Sequence, residues 1–156
     1  SSLVAWAPRM MAKKAIGTVN RDSVFSAIDL VPTLLTICDT PTPQGISFDG
    51  ESLPKILLGK SKNSRKQDIF FRRPPDRDSF YGIKDLPDLA IRSGKWKLLC
   101  EYDGSDPLLF DINKDRGETK NLAVQNPMMV KNLSKKVISW HQSMPPDNGL
   151  QLGIQD

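Results

Sequence analysis

Leu89-Ala90-Ile91-Arg92-Ser93-Gly94-Lys95-Trp96-Lys97-Leu98-Leu99-Cys100 reads as two extended runs joined by a glycine-containing turn, a β-hairpin. The two-residue period of a strand puts Trp96, Leu98 and Cys100 on one side and Lys95, Lys97 and Leu99 on the other. Working outward, Leu108-Leu109-Phe110-Asp111-Ile112 follows Pro107 and predicts the next strand of a meander. Upstream, Ile69-Phe70-Phe71-Arg72 has the branched and aromatic content of a strand, broken by Pro74-Pro75. Downstream, Asn126 suits an N-cap and Pro127 a first helical residue. Met129, Leu133, Val137, Trp140 and Met144 then recur at helical spacing, and Pro145-Pro146 ends the run. This half predicts a four-stranded antiparallel sheet with the apolar stripe of the last helix across one face.

The first half is less regular. Leu3-Val4-Ala5-Trp6, stopped by Ala7-Pro8, predicts a buried strand. Leu30, Leu34, Leu35 and Ile37 predict a helix over about Leu30–Cys38, with Asp29 as its cap and Pro32 in its first turn. Thr40-Pro41-Thr42-Pro43 forbids its continuation. Ser52, Leu53, Ile56, Leu57 and Leu58 predict a short capped helix stopped by Gly59, and nothing periodic follows up to Gln67. The fold class is α+β.

At 156 residues the chain has room for one domain, or for one domain and a piece of another. Apolar residues at 38% and charged residues at 26% exclude a disordered chain. No apolar run approaches the roughly 18 residues that cross a bilayer, which excludes a helical membrane span. Cys38 and Cys100 are too few for a structural zinc site or a disulfide scaffold, and two buried free thiols are expected, although the pair could still bond to each other. The net charge of +4 is concentrated in Lys60, Lys62, Arg65, Lys66, Arg72, Arg73 and Arg77, opposed only by Asp68 and Asp76. Such a stretch attracts nucleic acid, an anionic membrane surface or a sulfated or phosphorylated small substrate, or is simply a solvated loop.

Known catalytic patterns are missing. The sequence has no glycine-rich phosphate loop, no Gly-x-Ser-x-Gly and no His-Glu-x-x-His. The lone histidine, His141, falls on the last turn of the final helix and is expected to be structural. Asp103, Asp106, Asp111 and Asp115 lack the alternation and closing Glu of a calcium loop and read as turn acids.

Five segments together, in order, resemble the carboxy-terminal part of sulfatases of the alkaline-phosphatase-like superfamily, of arylsulfatase or N-acetylgalactosamine-6-sulfatase type. Leu3-Val4-Ala5-Trp6-Ala7-Pro8 is similar to the family's late sheet strand. Ser26 to Leu35 resembles its Ser-x-x-Asp-x-x-Pro-Thr-Leu-Leu helix, and Phe48-Asp49-Gly50-Glu51-Ser52-Leu53 the turn that follows. Ala90 to Leu99 resembles its Arg-x-Gly-x-Trp-Lys-Leu hairpin, and Leu109 to Ala123 its Leu-Phe-Asp-Leu … Glu-x-x-Asn-Leu signature. Arg116 stands where the family usually has Pro, and Cys38-Asp39 where a small residue or Gly usually follows the helix.

The resemblance implies a fold in two parts: residues 1–60 as the end of an α/β sulfatase catalytic domain, and residues 61–156 as an antiparallel-sheet subdomain closed by the last helix. It also implies a sulfuric ester hydrolase that depends on a formylglycine, made from Cys or Ser in a Cys/Ser-x-Pro/Ala-x-Arg motif, and on calcium. Neither Cys38-Asp39-Thr40-Pro41-Thr42 nor Cys100-Glu101-Tyr102-Asp103-Gly104 fits that motif. Catalytic and metal residues are therefore expected upstream, none on this sequence, and the fragment alone is expected to be inactive. What it can supply is substrate contact, with Arg72, Arg73 and Arg77 as the candidates, because guanidinium groups grip sulfate and carboxylate oxygens as a fork. The implied partners are the rest of the catalytic domain and a sulfated glycan or aryl sulfate ester, with no nucleic acid. The family is usually periplasmic, lysosomal or secreted. The alternative is a non-catalytic polyanion-binding module built on residues 60–77, against which stands the lack of aromatic residues interleaved with the basic ones.

Overall fold

A computed structural model describes residues 11–73 and 86–145. The chain divides into two compact units, one ending at Gln67 and the other beginning at Asp68. The strand expected at Leu3–Trp6 lies outside the described residues.

In the second unit, strands β1 (Ile69–Arg72), β2 (Leu89–Ser93), β3 (Trp96–Cys100) and β4 (Leu108–Asp111) form one antiparallel sheet in chain order. The β2–β3 hairpin closes on Ser93↔Trp96, so its turn is Gly94-Lys95. Gly94 takes φ +56 at the first central position, the arrangement of a type II′ turn, which only glycine adopts without strain. The register sets a row across all four strands: Phe70↔Ile91, Ile91↔Leu98 and Leu98↔Leu109. A second row runs Arg72↔Leu89 and Leu89↔Cys100.

Helix α3 (Pro127–Ser143) lies against these rows through Leu133 and Val137, which join Leu89, Ile91, Leu98, Cys100, Leu109 and Ala123 in one buried core. Met129 and Trp140 flank it, as the stripe predicts, and Trp140 stacks on Phe70 with ring centres 5.2 Å apart. Each buried Leu, Ile or Val contributes about 1.5–3 kcal/mol relative to exposure, so this face is the main stabilising surface of the unit. Asn126 precedes Pro127 as expected but does not cap the helix. Its side-chain amide NH2 donates back to the Leu122 carbonyl at 3.0 Å, and its Oδ1 makes no cap bond to the helix.

On the opposite face Lys97 pairs with Phe110 in register, and its Nζ sits 2.6 Å from Glu118. Asp111, expected as a plain turn acid, is buried and held by Lys95 Nζ at 3.1 Å. Asp115 does behave as a turn acid: its carboxylate accepts from the Thr119 and Lys120 amides.

The first unit contains α1 (Leu30–Ile37) and α2 (Pro54–Leu57). Helix α1 ends on Asp39 at φ +51, a left-handed position glycine normally fills. The amides of Asp39 and Thr40 donate to the carbonyls of Thr36 and Leu35, so the chain makes a Schellman end without glycine. The cap expected from Ser52 is also absent: α2 starts at Pro54 after Leu53, and Ser52 Oγ bonds Thr36 Oγ1 instead.

Candidate functional site

The row of groups at one end of the second unit's sheet is built by the strand register. Arg73 follows β1, and its amide donates to the Asp88 carbonyl at 2.8 Å, continuing the β1–β2 ladder one residue past Arg72↔Leu89. Arg73 Nη2 is 3.1 Å from Asp88 Oδ1, while its Nε is buried without a hydrogen-bond partner. Beyond Leu89↔Cys100, β3 delivers Glu101 beside Asp88, and the two carboxyl groups hydrogen-bond. That bond, then burial and the Asp88 charge, hold the Glu101 carboxyl above the ordinary carboxylate range, with Arg73 pulling the other way.

The turn after β3 tightens the row. Gly104 at φ +86 lets the chain fold back, its amide donating to the Glu101 carbonyl, while the Glu101 amide donates to Ser105. Asp103 accepts from Ser105, and that hydrogen bonding holds it below the usual range. Tyr102 donates its hydroxyl to the Arg73 carbonyl at 3.2 Å and tilts over His141, whose ring centre is 4.8 Å away. His141 thus packs on an aromatic ring at the end of α3. Of the three candidate substrate residues, Arg72 and Arg73 stand together where β1 ends, and Arg77 lies outside the described residues.

The model for the N-sulphoglucosamine sulphohydrolase C-terminal family matches residues 3–143. The chain belongs to this sulfatase family. It is 34% identical over 121 residues to Arylsulfatase K of Mus musculus, an alignment covering 75% of this chain and 21% of that protein. To Arylsulfatase A of Homo sapiens it is 31% identical over 118 residues, covering 62% of this chain and 22% of that protein. A solved structure described under the metabolism of multiple glycosaminoglycans by Bacteroides thetaiotaomicron superposes with a TM-score of 0.59 at 25% identity, covering 77% of this chain and 25% of its own. Ps i-CgsB, solved with k-i-k-neocarrahexaose, superposes at 0.61 and 19% identity, covering 81% of this chain and 26% of its own, a likeness of fold alone. The sulfatase C-terminal chain therefore spans 21% to 26% of the length of these relatives.

Two of the family-like motifs meet in the first unit of this sulfatase segment. Asp29 is fully buried, and its carboxylate accepts from the Ser26 amide, the Glu51 amide and Arg65 Nη1, each at 2.8 Å. The expected cap on α1 does not form, because a 3-10 turn at Ala27–Asp29 leads into the helix and leaves Asp29 in helical dihedrals. Thr33, also fully buried, accepts the Leu53 amide at 2.9 Å. Gly50 leaves the room this needs: a Cβ there would stand 1.9 Å from the Ile28 carbonyl oxygen. The Ser-x-x-Asp-x-x-Pro-Thr helix and the Asp-Gly-x-Ser-Leu turn are two halves of one interlock, and Arg65 closes it.

Arg65 is the residue the sequence reading misplaced, as part of a basic loop. Its only local signal was a charge in an aperiodic run, and its partner lies 36 positions earlier. Lys62 pairs with Asp22 and Arg73 with Asp88, so much of the basic stretch is neutralised internally. A shallow cavity of about 650 Å³ lies between residues 50–56 and 61–67, lined in part by Lys55 and Lys66. Its one carboxylate, Glu51, is engaged by the amides of Lys66 and Gln67.

Among the described residues no group of three or more His, Cys, Asp or Glu side chains could hold a metal ion. The cysteines differ from each other, against the expectation of two buried thiols: Cys100 is buried and Cys38, at the end of α1, is exposed. Burial pushes the Cys100 thiol up to about 11, opposite to the shift that makes a thiol reactive. No helix of the described residues is long and apolar enough to cross a membrane.

Proposed function

We propose that this chain is the C-terminal portion of a sulfuric ester hydrolase acting on sulfated sugars, with the formylglycine and calcium chemistry carried by residues upstream of it. The observation that carries this reading is the family match over residues 3–143 of a chain that spans about a quarter or less of its relatives. The surface of α1 and the 3-10 turn that leads into it adds support. Ile28, Val31 and Leu34 are 43%, 53% and 44% exposed at helical spacing, the face a helix presents when its packing partner is elsewhere. In this reading residues 1–60 complete the catalytic domain and residues 61–156 form the subdomain beside its cleft. Arg72, Arg73 and Arg77 then meet sulfate or carboxylate oxygens of the substrate, where a planar guanidinium gives two parallel hydrogen bonds. The pairing of Lys62 and Arg65 with carboxylates weakens the alternative of a polyanion-binding module.

The test is sulfate release from a sulfated glucosamine disaccharide and from an aryl sulfate. A polypeptide joining this chain to an upstream formylglycine-bearing portion is expected to turn over at least one of them, and this chain alone neither. Arg72→Ala or Arg73→Ala in the joined enzyme is expected to raise KM for the sugar. Turnover by the chain alone, or an active joined enzyme whose KM ignores both arginines, would overturn the respective part.

A further inference from the structure

We propose that the sheet face turned away from α3 is the surface on which the upstream catalytic portion docks, and that Arg92 receives a carboxylate from that portion. The inference rests on the reading of this chain as the C-terminal portion of a longer sulfatase.

The strand register builds this face from two rows. One runs Ile69↔Arg92, Arg92↔Lys97 and Lys97↔Phe110, and the other Phe71↔Ala90, Ala90↔Leu99 and Leu99↔Leu108. The second row is apolar across all four strands, yet Phe71 is 51% exposed and Ala90, Leu99 and Leu108 are half-buried. A sheet face left to solvent ordinarily carries polar side chains, so an apolar row there marks a face that lacks its covering layer.

The first row lacks a charge. Arg92 and Lys97 stand directly opposite each other, an arrangement of like charges that is unfavourable unless acids balance them. Glu118 balances one, because Lys97 Nζ donates to both of its oxygens, at 2.6 and 2.7 Å. Arg92 has no such partner. Its Nε is buried without a hydrogen bond, and among the described residues no carboxylate pairs with its guanidinium. A half-buried guanidinium without an acceptor is unfavourable by itself and becomes favourable once a planar carboxylate meets its fork of donors.

These features select the occupant. It must offer an apolar surface to Phe71, Leu99 and Leu108 and one carboxylate to Arg92. A second copy of this chain, meeting the face about a two-fold axis, would bring its own surplus cation to the same place and be repelled. This chain spans 21% of one relative and 26% of another, so most of the family's length lies outside it and is available to cover the face.

The test is hydroxyl-radical footprinting of Phe71, Leu99 and Leu108, in this chain alone and in the polypeptide that joins it to an upstream formylglycine-bearing portion. Labelling of the three is expected to fall several-fold on joining. Arg92→Met gives a second readout. It is expected to lower the first thermal unfolding midpoint of the joined polypeptide by a few degrees, and to leave the midpoint of this chain alone unchanged or raised, since there it only removes a cation facing Lys97. Labelling that joining leaves unchanged, in a polypeptide that releases sulfate, overturns this inference alone. Arg92→Met that shifts both midpoints alike, or shifts this chain's more, makes Arg92 an internal stabiliser and overturns it too. Protection that appears in this chain alone with rising concentration, beside a dimer in sedimentation, assigns the face to a second copy and also overturns it. A joined polypeptide that releases sulfate from neither ester overturns the sulfatase reading and the inference with it.

Discussion

Replacing Arg65 with Met should unlatch the first unit. The Asp29–Arg65 contact is 2.8 Å long, with side chains 0% and 2% exposed, so water screens neither charge. With charge centres about 4 Å apart, an effective dielectric near 20 gives a gross attraction of about 4 kcal/mol. Removing the guanidinium leaves the Asp29 carboxylate buried with only the Ser26 and Glu51 amides, and also removes the Nε bond to the Gln67 carbonyl. Breaking one side of a buried pair costs about 3–5 kcal/mol, a large share of the roughly 5–15 kcal/mol that stabilises a domain. The assay is native-state hydrogen exchange at the amides of Glu51 and Ser26, which report on the interlock directly, alongside urea unfolding followed by circular dichroism. Both amides are expected to lose protection by that free energy. Because the charge left behind causes the damage, Asp29→Asn combined with Arg65→Met should cost less than the sum of the single changes. A loss below about 1 kcal/mol in Arg65→Met, or strict additivity in the double variant, would refute a desolvated, mutually dependent pair.

The second unit offers a parallel case in its core. Leu98→Ala, at a fully buried position in the centre of the cross-strand row, should cost about 3–5 kcal/mol by urea unfolding read from tryptophan fluorescence, while Phe71→Ala, 51% exposed, should cost far less. In the native chain a thiol reagent should modify Cys38 rapidly and Cys100 only after denaturation, since Cys100 is buried with its pKa pushed up to about 11; equal rates would contradict its burial. Burial by itself would raise the Asp111 pKa, but the hydrogen bond and charge of Lys95 and the amides of Lys114 and Asn113 hold it below the ordinary range. Its stabilising contribution is therefore complete above about pH 4 and lost as pH falls through the folded-state value. Asp111→Asn should flatten that acid limb in a series of urea midpoints against pH, and an unchanged limb would refute the assignment.

The sheet and α3 were legible because their side chains repeat with the period of the element. Trp96, Leu98 and Cys100 alternate with Lys95, Lys97 and Leu99, and Met129, Leu133, Val137 and Trp140 recur on one side of a helix. Caps were harder to read. Asp29, Ser52 and Asn126 all have capping chemistry, yet none caps the α-helix it precedes: Asp29 closes a capping box on the 3-10 turn, Ser52 bonds the Thr36 hydroxyl, and the Asn126 amide donates back to the Leu122 carbonyl. The candidate site was half legible. Arg72 and Arg73 could be named from their charge and the strand end, whereas Asp88 and Glu101, 15 and 28 positions beyond Arg73, become neighbours only through the register.

The amino-acid order alone settled the sheet and helix types of the described residues and, through five short motifs in series, the sulfatase family, since periodicity and motif spacing are properties of neighbours along the chain. Folding decided which charges are spent inside and which face outward. Arg65 and Arg73 belong to one basic run in the sequence, yet the first is sealed against Asp29 and the second stands, tied to Asp88, at the open end of a sheet. That division depends on desolvation and on partners tens of residues away, and both exist only once the chain has closed on itself.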